Sequence, residues 1–313
     1  MQKTILRPVT VEGIGLHSGR DVRLTINPAQ AHHGIVFRRV DISGQDNLIP
    51  ANHHHIIDTK LCTVIGLNET VRVATIEHLM AALRACGIDN ALIDINGPEC
   101  PVLDGSAQPF IQAIEEAGLF NQNVPRRIIK ILKPISYSEG DKTASLTPAA
   151  VPQYEATLHY KGTLIGTQSY ALKLVNGNFK HDVADCRTFC LRKDIEAMRA
   201  NGLALGGSLD NAVVVDDQNV MNEEGLRCHD EFVRHKILDA VGDLALAGGL
   251  IWGAYKATRP GHDMNAKLLK TLFQSPDCWV YEDLYINIET ADEAAFLANT
   301  PPSPKAVSGA VAA

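Results

Sequence analysis

Polar and apolar residues alternate over 21–27, which predicts a strand buried on one face. Two short apolar runs, 61–67 and 71–74, flank Asn68-Glu69-Thr70 and predict a hairpin. Ile76, Leu79, Met80 and Leu83 then recur at helical spacing. Thr75 stands where an N-cap would, and Gly87 where a helix-ending glycine would. A buried strand is expected over 90–96. A second helix is expected over 109–117, with Pro109 near its start and Gly118 after it.

The segment 121–127 carries a proline and no apolar periodicity, which makes it the best domain boundary. Beyond it, strands are expected over 127–133, 143–146, 154–160 and 168–174, then a helix over 193–200. A turn with Gly202, Gly206 and Gly207 follows, then a strand over 212–216 and a long helix over 230–247. A strand over 251–256 and a helix over 265–273 complete the core. Both halves run strands first and helices later, so the expected class is α+β. The domains are placed at 1–124 and 125–296. A Pro/Ala/Ser-rich tail, 297–313, is expected to be disordered.

Composition narrows the function. Of 313 residues, 45% are hydrophobic and 21% charged, enough apolar material for a core and too much for a long disordered chain. The net charge of -7 shows no basic bias, so nucleic acid is not an expected partner. Seven cysteines without a C-x-x-C pair argue against a zinc knuckle and a disulfide framework, and suit a reducing cytoplasm. The N-terminal residues lack a signal-peptide core. The longest uncharged stretch, 244–255, has 12 residues, against the ~20 of a spanning helix. We expect a cytoplasmic protein with no integral membrane segment.

Candidate chemistry lies in scattered short motifs. His235-Lys236-Ile237-Leu238-Asp239 falls inside a helical pattern, so His235, Asp239 and Asp243, four apart, share one face. Half buried, such a row suits a divalent metal; solvated, it is an ordinary ion-pair face. Glu77-His78 places a carboxylate beside an imidazole in a first helical turn, a familiar arrangement in zinc hydrolases and equally a plain dipole-favoured Glu. His262 follows Gly261 in a loop or helix start. The run Gly13-Ile14-Gly15-Leu16-His17-Ser18-Gly19 would allow close backbone approach to a ligand. It carries no P-loop lysine. His53-His54-His55 reads as a surface cluster, and the thiols of Cys186 and Cys190 as packing.

Together these pieces are more specific than any one. The glycine-rich run, Thr75-Ile76-Glu77-His78-Leu79, Asp104-Gly105-Ser106-Ala107, Arg187-Thr188-Phe189, Leu205-Gly206-Gly207-Ser208, Asn222-Glu223-Glu224-Gly225-Leu226-Arg227, Phe232 to Asp239 and Gly261-His262 follow in that order. In this the chain closely resembles the UDP-3-O-acyl-N-acetylglucosamine deacetylases, zinc amidases of lipid A biosynthesis in Gram-negative bacteria, over about residues 3–290. The resemblance implies two domains of similar α+β topology, each a sheet layered against helices. The helix layers would face each other with the active site at their junction. It also implies a unit inserted in each half, in the second over roughly 192–216, which would form a passage for the acyl chain.

Carried over residue by residue, His78, His235 and Asp239 would hold Zn²⁺, with Fe²⁺ possible in cells. Glu77 would be the general base, His262 the general acid and Asp243 its orienting partner. Thr188 would help hold the oxyanion. Lys236, Phe189 and Leu16 would contact the substrate, a UDP-sugar lipid precursor whose N-acetyl group leaves as acetate. Arg192 stands where many members of the family have an apolar residue at the passage rim, which leaves the acyl length open. A monomer is expected, with at most transient contact with a membrane surface. Two His and one carboxylate also describe non-heme Fe(II) oxygenases, but those place the first two ligands two apart on a strand, not four apart on a helix. A non-enzymatic sugar-nucleotide binder would have lost one of these residues. An amidase with another substrate is opposed only by the acyl-passage unit.

Overall fold

The computed structural model describes residues 1–284. The expected tail, 297–313, lies outside them. Six helices form among the described residues: α1 (Glu77–Ala85), α2 (Gln108–Ala117), α3 (Asn178–Asp182), α4 (Arg192–Ala200), α5 (Glu231–Ala245) and α6 (His262–Phe273). With several sheets beside them, the α+β expectation holds.

Two five-stranded sheets share one topology. The first runs Val9–Ile14, Asp21–Pro28, Ala91–Ile95, Ile35–Arg39, Leu48–Pro50. Its central strand, last in sequence, is antiparallel to Asp21–Pro28 and parallel to Ile35–Arg39. The second runs Ile135–Glu139, Lys142–Thr147, Ala254–Thr258, Gln153–Tyr160, Gly166–Lys173. Here too the central strand arrives last, antiparallel to Lys142–Thr147 and parallel to Gln153–Tyr160. No identity between the halves is visible in the sequence, because a sheet needs only the alternation of buried and exposed positions to keep its register.

Each half adds a small three-stranded sheet. One joins Ile56–Asp58, Val64–Gly66 and Arg72–Val73, the expected hairpin with one strand more. The other joins Phe189–Leu191, Val213–Asp216 and Asn219–Val220, beside α4. The single strand expected over 251–256 is in fact two. Leu250–Trp252 pairs with Arg126–Ile131, and Ala254–Thr258 lies in the large sheet. The break is at Gly253, where a Cβ would press to 2.6 Å from Ile131 and 2.8 Å from the Thr147 carbonyl oxygen.

α1 and α2 pack together, α5 packs on α6 and on the second sheet, and α1 packs against α5. One apolar core therefore runs through both halves, from Leu24, Ile26 and Ile93 through Leu79 and Met80 to Leu238, Val241 and Leu268. The α1–α5 crossing is close because α5 has no side chain at Gly242. A Cβ built there would run into the Glu77 carbonyl oxygen. In an open helix Gly→Ala gains up to ~1 kcal/mol. Here Gly242→Ala is expected to cost about 1–3 kcal/mol by overpacking and to lower the melting temperature. A melting temperature at or above that of the parent chain would show that this contact is not what sets the helix spacing.

Candidate active site

The α1–α5 contact brings Glu77 and His78 from one half against His235, Asp239 and Asp243 from the other. Thr75 is not the N-cap the sequence suggested. Its backbone is left-handed (φ 55°), Ile76 occupies the cap position, and no side chain caps the helix. The Thr75 hydroxyl instead donates to Glu99 Oε1 at 3.1 Å. Glu99, which the sequence did not single out, is buried and also accepts the backbone N–H groups of His17 and Ser18 at 2.7 and 2.8 Å. It thereby ties the glycine-rich run to the start of α1. The glycines serve this docking more than a ligand. A Cβ at Gly15 would collide with Glu99, and one at Gly206 with the Gly15 carbonyl.

His78, His235 and Asp239 are all buried, with one ligand atom of each within 4.8 Å of the others. Asp239 Oδ1 lies 3.3 Å from His235 Nε2 and 3.6 Å from His78 Nε2. It is buried without a hydrogen-bond partner. A carboxylate oxygen left unpartnered between two imidazoles is a costly arrangement unless something positive joins it, so these residues fit a divalent cation. His235 Nδ1 is held by the Cys186 carbonyl at 3.0 Å, which leaves Nε2 free to coordinate. Burial depresses the His235 pKa to about 3, so the ring is neutral, as a ligand must be. Burial would lift the Asp239 carboxyl, but His235, when its ring is protonated at low pH, and Lys236 hold it well below the usual range.

Asp243 does not complete this group, although it shares the helix face. It belongs to a second buried cluster. Its Oδ2 accepts from His262 Nδ1 at 2.9 Å and Asn265 Nδ2 at 2.8 Å, and its Oδ1 from the Thr63 hydroxyl at 2.6 Å. His262 Nε2 lies 3.7 Å from Glu77 Oε1. Burial raises the Glu77 pKa. Burial pulls His262 down, but the charges of Asp243 and Glu77 overcome it and lift His262 to about 10. A basic carboxylate and a protonated imidazole thus stand side by side, the pair that acid–base catalysis of hydrolysis needs.

The chain matches the family described as "LpxC: UDP-3-O-acyl N-acetylglycosamine deacetylase" over residues 2–274. The chain belongs to this family. Relatives named UDP-3-O-acyl-N-acetylglucosamine deacetylase include one from Phenylobacterium zucineum (strain HLK1), 45% identical over 278 residues, covering 89% of this chain and 95% of the relative. One from Geobacter sp. (strain M21) is 46% identical over 278 residues, covering 89% and 90%. One from Histophilus somni (strain 129Pt) is 42% identical over 282 residues, covering 90% and 92%.

In this deacetylase-family chain both clusters open on one cavity of about 680 Å³. Glu77, His78, Asp239 and His262 line it, as do Leu16, Thr188, Phe189 and Lys236; apolar walls come from Leu191, Ile195, Met198 and Val214. Every residue singled out in the sequence for substrate contact therefore borders the same space. The Thr188 backbone N–H is committed to the Gly105 carbonyl at 2.8 Å, so of its two donors only the hydroxyl remains. Lys236 Nζ donates to Asp239 Oδ2 at 2.7 Å and lies 5.4 Å above the Phe189 ring. Arg192, the departure at the passage rim, pairs with Asp216 at 2.6 Å beside the apolar wall.

The other motifs build the frame. Arg227 bridges to Asp104 at 2.9 Å, joining the two halves, and buried Arg187 pairs with Glu231 at 2.9 Å. Cys186 packs against Cys228, with sulfurs 3.9 Å apart, rather than against Cys190. His53, His54 and His55 form a short 3₁₀ turn. His53 stacks on Phe273 at 4.0 Å and only His54 of the three is exposed, so the cluster is partly a packing element. Asn265 was missed because the last helix was expected to begin there. It begins at His262, and the two side chains are three apart on one face. Thr63 had no signal at all: it is brought to Asp243 by a contact 180 positions apart.

Proposed function

We propose that this chain hydrolyses the N-acetyl group of UDP-3-O-(3-hydroxyacyl)-N-acetylglucosamine, releasing acetate in lipid A biosynthesis. The observation that carries this reading is one cavity shared by a buried His–His–Asp group, a Glu–His acid–base pair and an apolar wall. Membership of the family supplies the substrate class.

In this reading His78, His235 and Asp239 hold Zn²⁺, and their nitrogen and oxygen donors would also accept Fe²⁺. Held there, such a cation would supply Lewis acidity toward the amide carbonyl and the attacking water. Glu77 takes the proton from that water. The Thr188 hydroxyl donates to the oxyanion that develops, a contribution that often dominates. The amine cannot leave unprotonated, so His262 gives it the Nε2 proton while Asp243 keeps Nδ1 in place. Lys236 meets the charged head of the substrate, Phe189 and Leu16 flank it, and the acyl chain lies along Leu191, Ile195, Met198 and Val214.

The site forms at the junction of domains 1–124 and 125–296. We take the working unit to be a monomer, in which residues of both halves line the cavity. All seven cysteines are free, which supports a reducing cytoplasm, in a Gram-negative cell. No helix among the described residues is long and apolar enough to cross a membrane.

Acetate release tests the reading. The acylated substrate is expected to react far faster than UDP-N-acetylglucosamine, since each buried methylene of the chain contributes ~0.8 kcal/mol of binding. No acetate from the acylated substrate, with the protein folded and metal supplied, would remove the deacetylase assignment.

A further inference from the structure

Glu77 and Asp243 come from different helices and carry like charges into one buried space. Besides His262, which lies between them, Thr63 hydrogen-bonds to both. Thr63 is 2% exposed and immediately precedes the strand Val64–Gly66. Its backbone N–H donates to Glu77 Oε2 at 3.1 Å, and its hydroxyl donates to Asp243 Oδ1 at 2.6 Å. A hydroxyl has one proton, and here that proton goes to Asp243. With Oδ1 so fixed, Oδ2 faces His262 Nδ1 and Asn265 Nδ2. Asn265 is itself oriented, because Tyr255 donates its hydroxyl to Asn265 Oδ1 at 2.6 Å.

The carboxylate of Asp243 therefore has a donor on each side and cannot swivel. That fixes the His262 ring, whose Nε2 points to Glu77. We propose that Thr63 is a positioning residue for the deacetylation: one anchor that sets the direction of both the base and the acid. The inference rests on the assignment of Glu77, Asp243 and His262 made above. Removing the hydroxyl would leave Asp243 Oδ1 buried without a donor, free to rotate away from His262. The Glu77 contact would survive side-chain replacement, since it is made by the backbone.

Thr63→Val keeps the shape and deletes the hydroxyl; Thr63→Ser keeps the hydroxyl. In the zinc-loaded enzyme, Thr63→Val is expected to lower kcat by ~10–100-fold, the usual range for residues that orient functional groups. KM should stay within about 3-fold, because no substrate contact is lost. Thr63→Ser should return kcat to within about 3-fold of the parent. The Nδ1–H proton resonance of His262 should persist in the Ser variant and shift or vanish in the Val variant, a readout independent of turnover. In an Asp243→Ala background, Thr63→Val should change kcat by less than about 2-fold, since the two would act through one contact.

A Thr63→Val enzyme as fast as the parent, or a loss that multiplies fully into the Asp243→Ala background, would overturn the anchor while leaving the acid–base assignment intact. An Asp243→Ala enzyme as fast as the parent would instead sink the assignment of the pair, and the anchor with it.

Discussion

Glu77→Ala and His262→Ala are each expected to lower the rate of acetate release by about 10²–10⁴, with substrate binding little changed. Both groups are buried beside each other, with His262 Nε2 3.7 Å from Glu77 Oε1, and neither is needed to fill the apolar core. Their protonation demands are opposite, so the rate should follow a bell in pH. It falls at low pH as the Glu77 carboxylate, raised by burial, takes up a proton. It falls at high pH as His262 loses its own. Burial opposes the His262 proton, but Asp243 and Glu77 hold it to about 10, with Asp239 adding in the same direction. A dication bound nearby draws both limbs down. Asp243→Asn removes the charge that outweighs burial, so the basic limb should move sharply to lower pH while the acid limb moves less. A basic limb unmoved in Asp243→Asn would show that His262 is not the acid. Turnover within a few-fold of the parent in either alanine variant would remove that residue from the chemistry.

The sequence shows the candidate metal-holding residues more readily than the framework that aims them. His235 and Asp239 are four apart in a helical pattern, and Glu77-His78 opens another helix. Local spacing therefore puts these groups on defined faces. What spacing could not show is that α1 and α5 meet, which depends on the missing side chain at Gly242. It also grouped Asp243 with His235 and Asp239 because all three share a face. In the structure Thr63, His262 and Asn265 claim Asp243, and all three come from outside α5. The same holds for the sheets. The strand Ala91–Ile95 is legible from its alternation, but its place between strands 60 residues upstream is a long-range choice made by the whole core. Thr75 illustrates the reverse error. Residue type suggested a cap, but the Thr75 hydroxyl donates to the buried carboxylate of Glu99 and the backbone there is left-handed.

Chelation should abolish turnover, and returning Zn²⁺ should restore it. Asp239 carries a full charge at any physiological pH, yet its Oδ1 has no donor. His235 is neutral, so it offers a lone pair and no compensating charge. Lys236 answers only the other oxygen, Oδ2. A dication relieves this imbalance, so binding should also stabilise the fold. At a free concentration 100-fold above Kd the gain is about 2.7 kcal/mol, or a melting temperature raised by roughly 4 °C for a chain of this size. Asp239→Ala and His235→Ala should each lower the metal content of the purified chain and abolish that thermal shift. Lys236→Ala should keep the metal and lose affinity for the substrate. Fe²⁺ or Co²⁺ should substitute for Zn²⁺, while Mg²⁺ should not, because two of the three donors are imidazoles and Mg²⁺ prefers oxygen. Full turnover from a chain whose metal content has been driven well below one per molecule would show that the His–His–Asp group does not act through a cation.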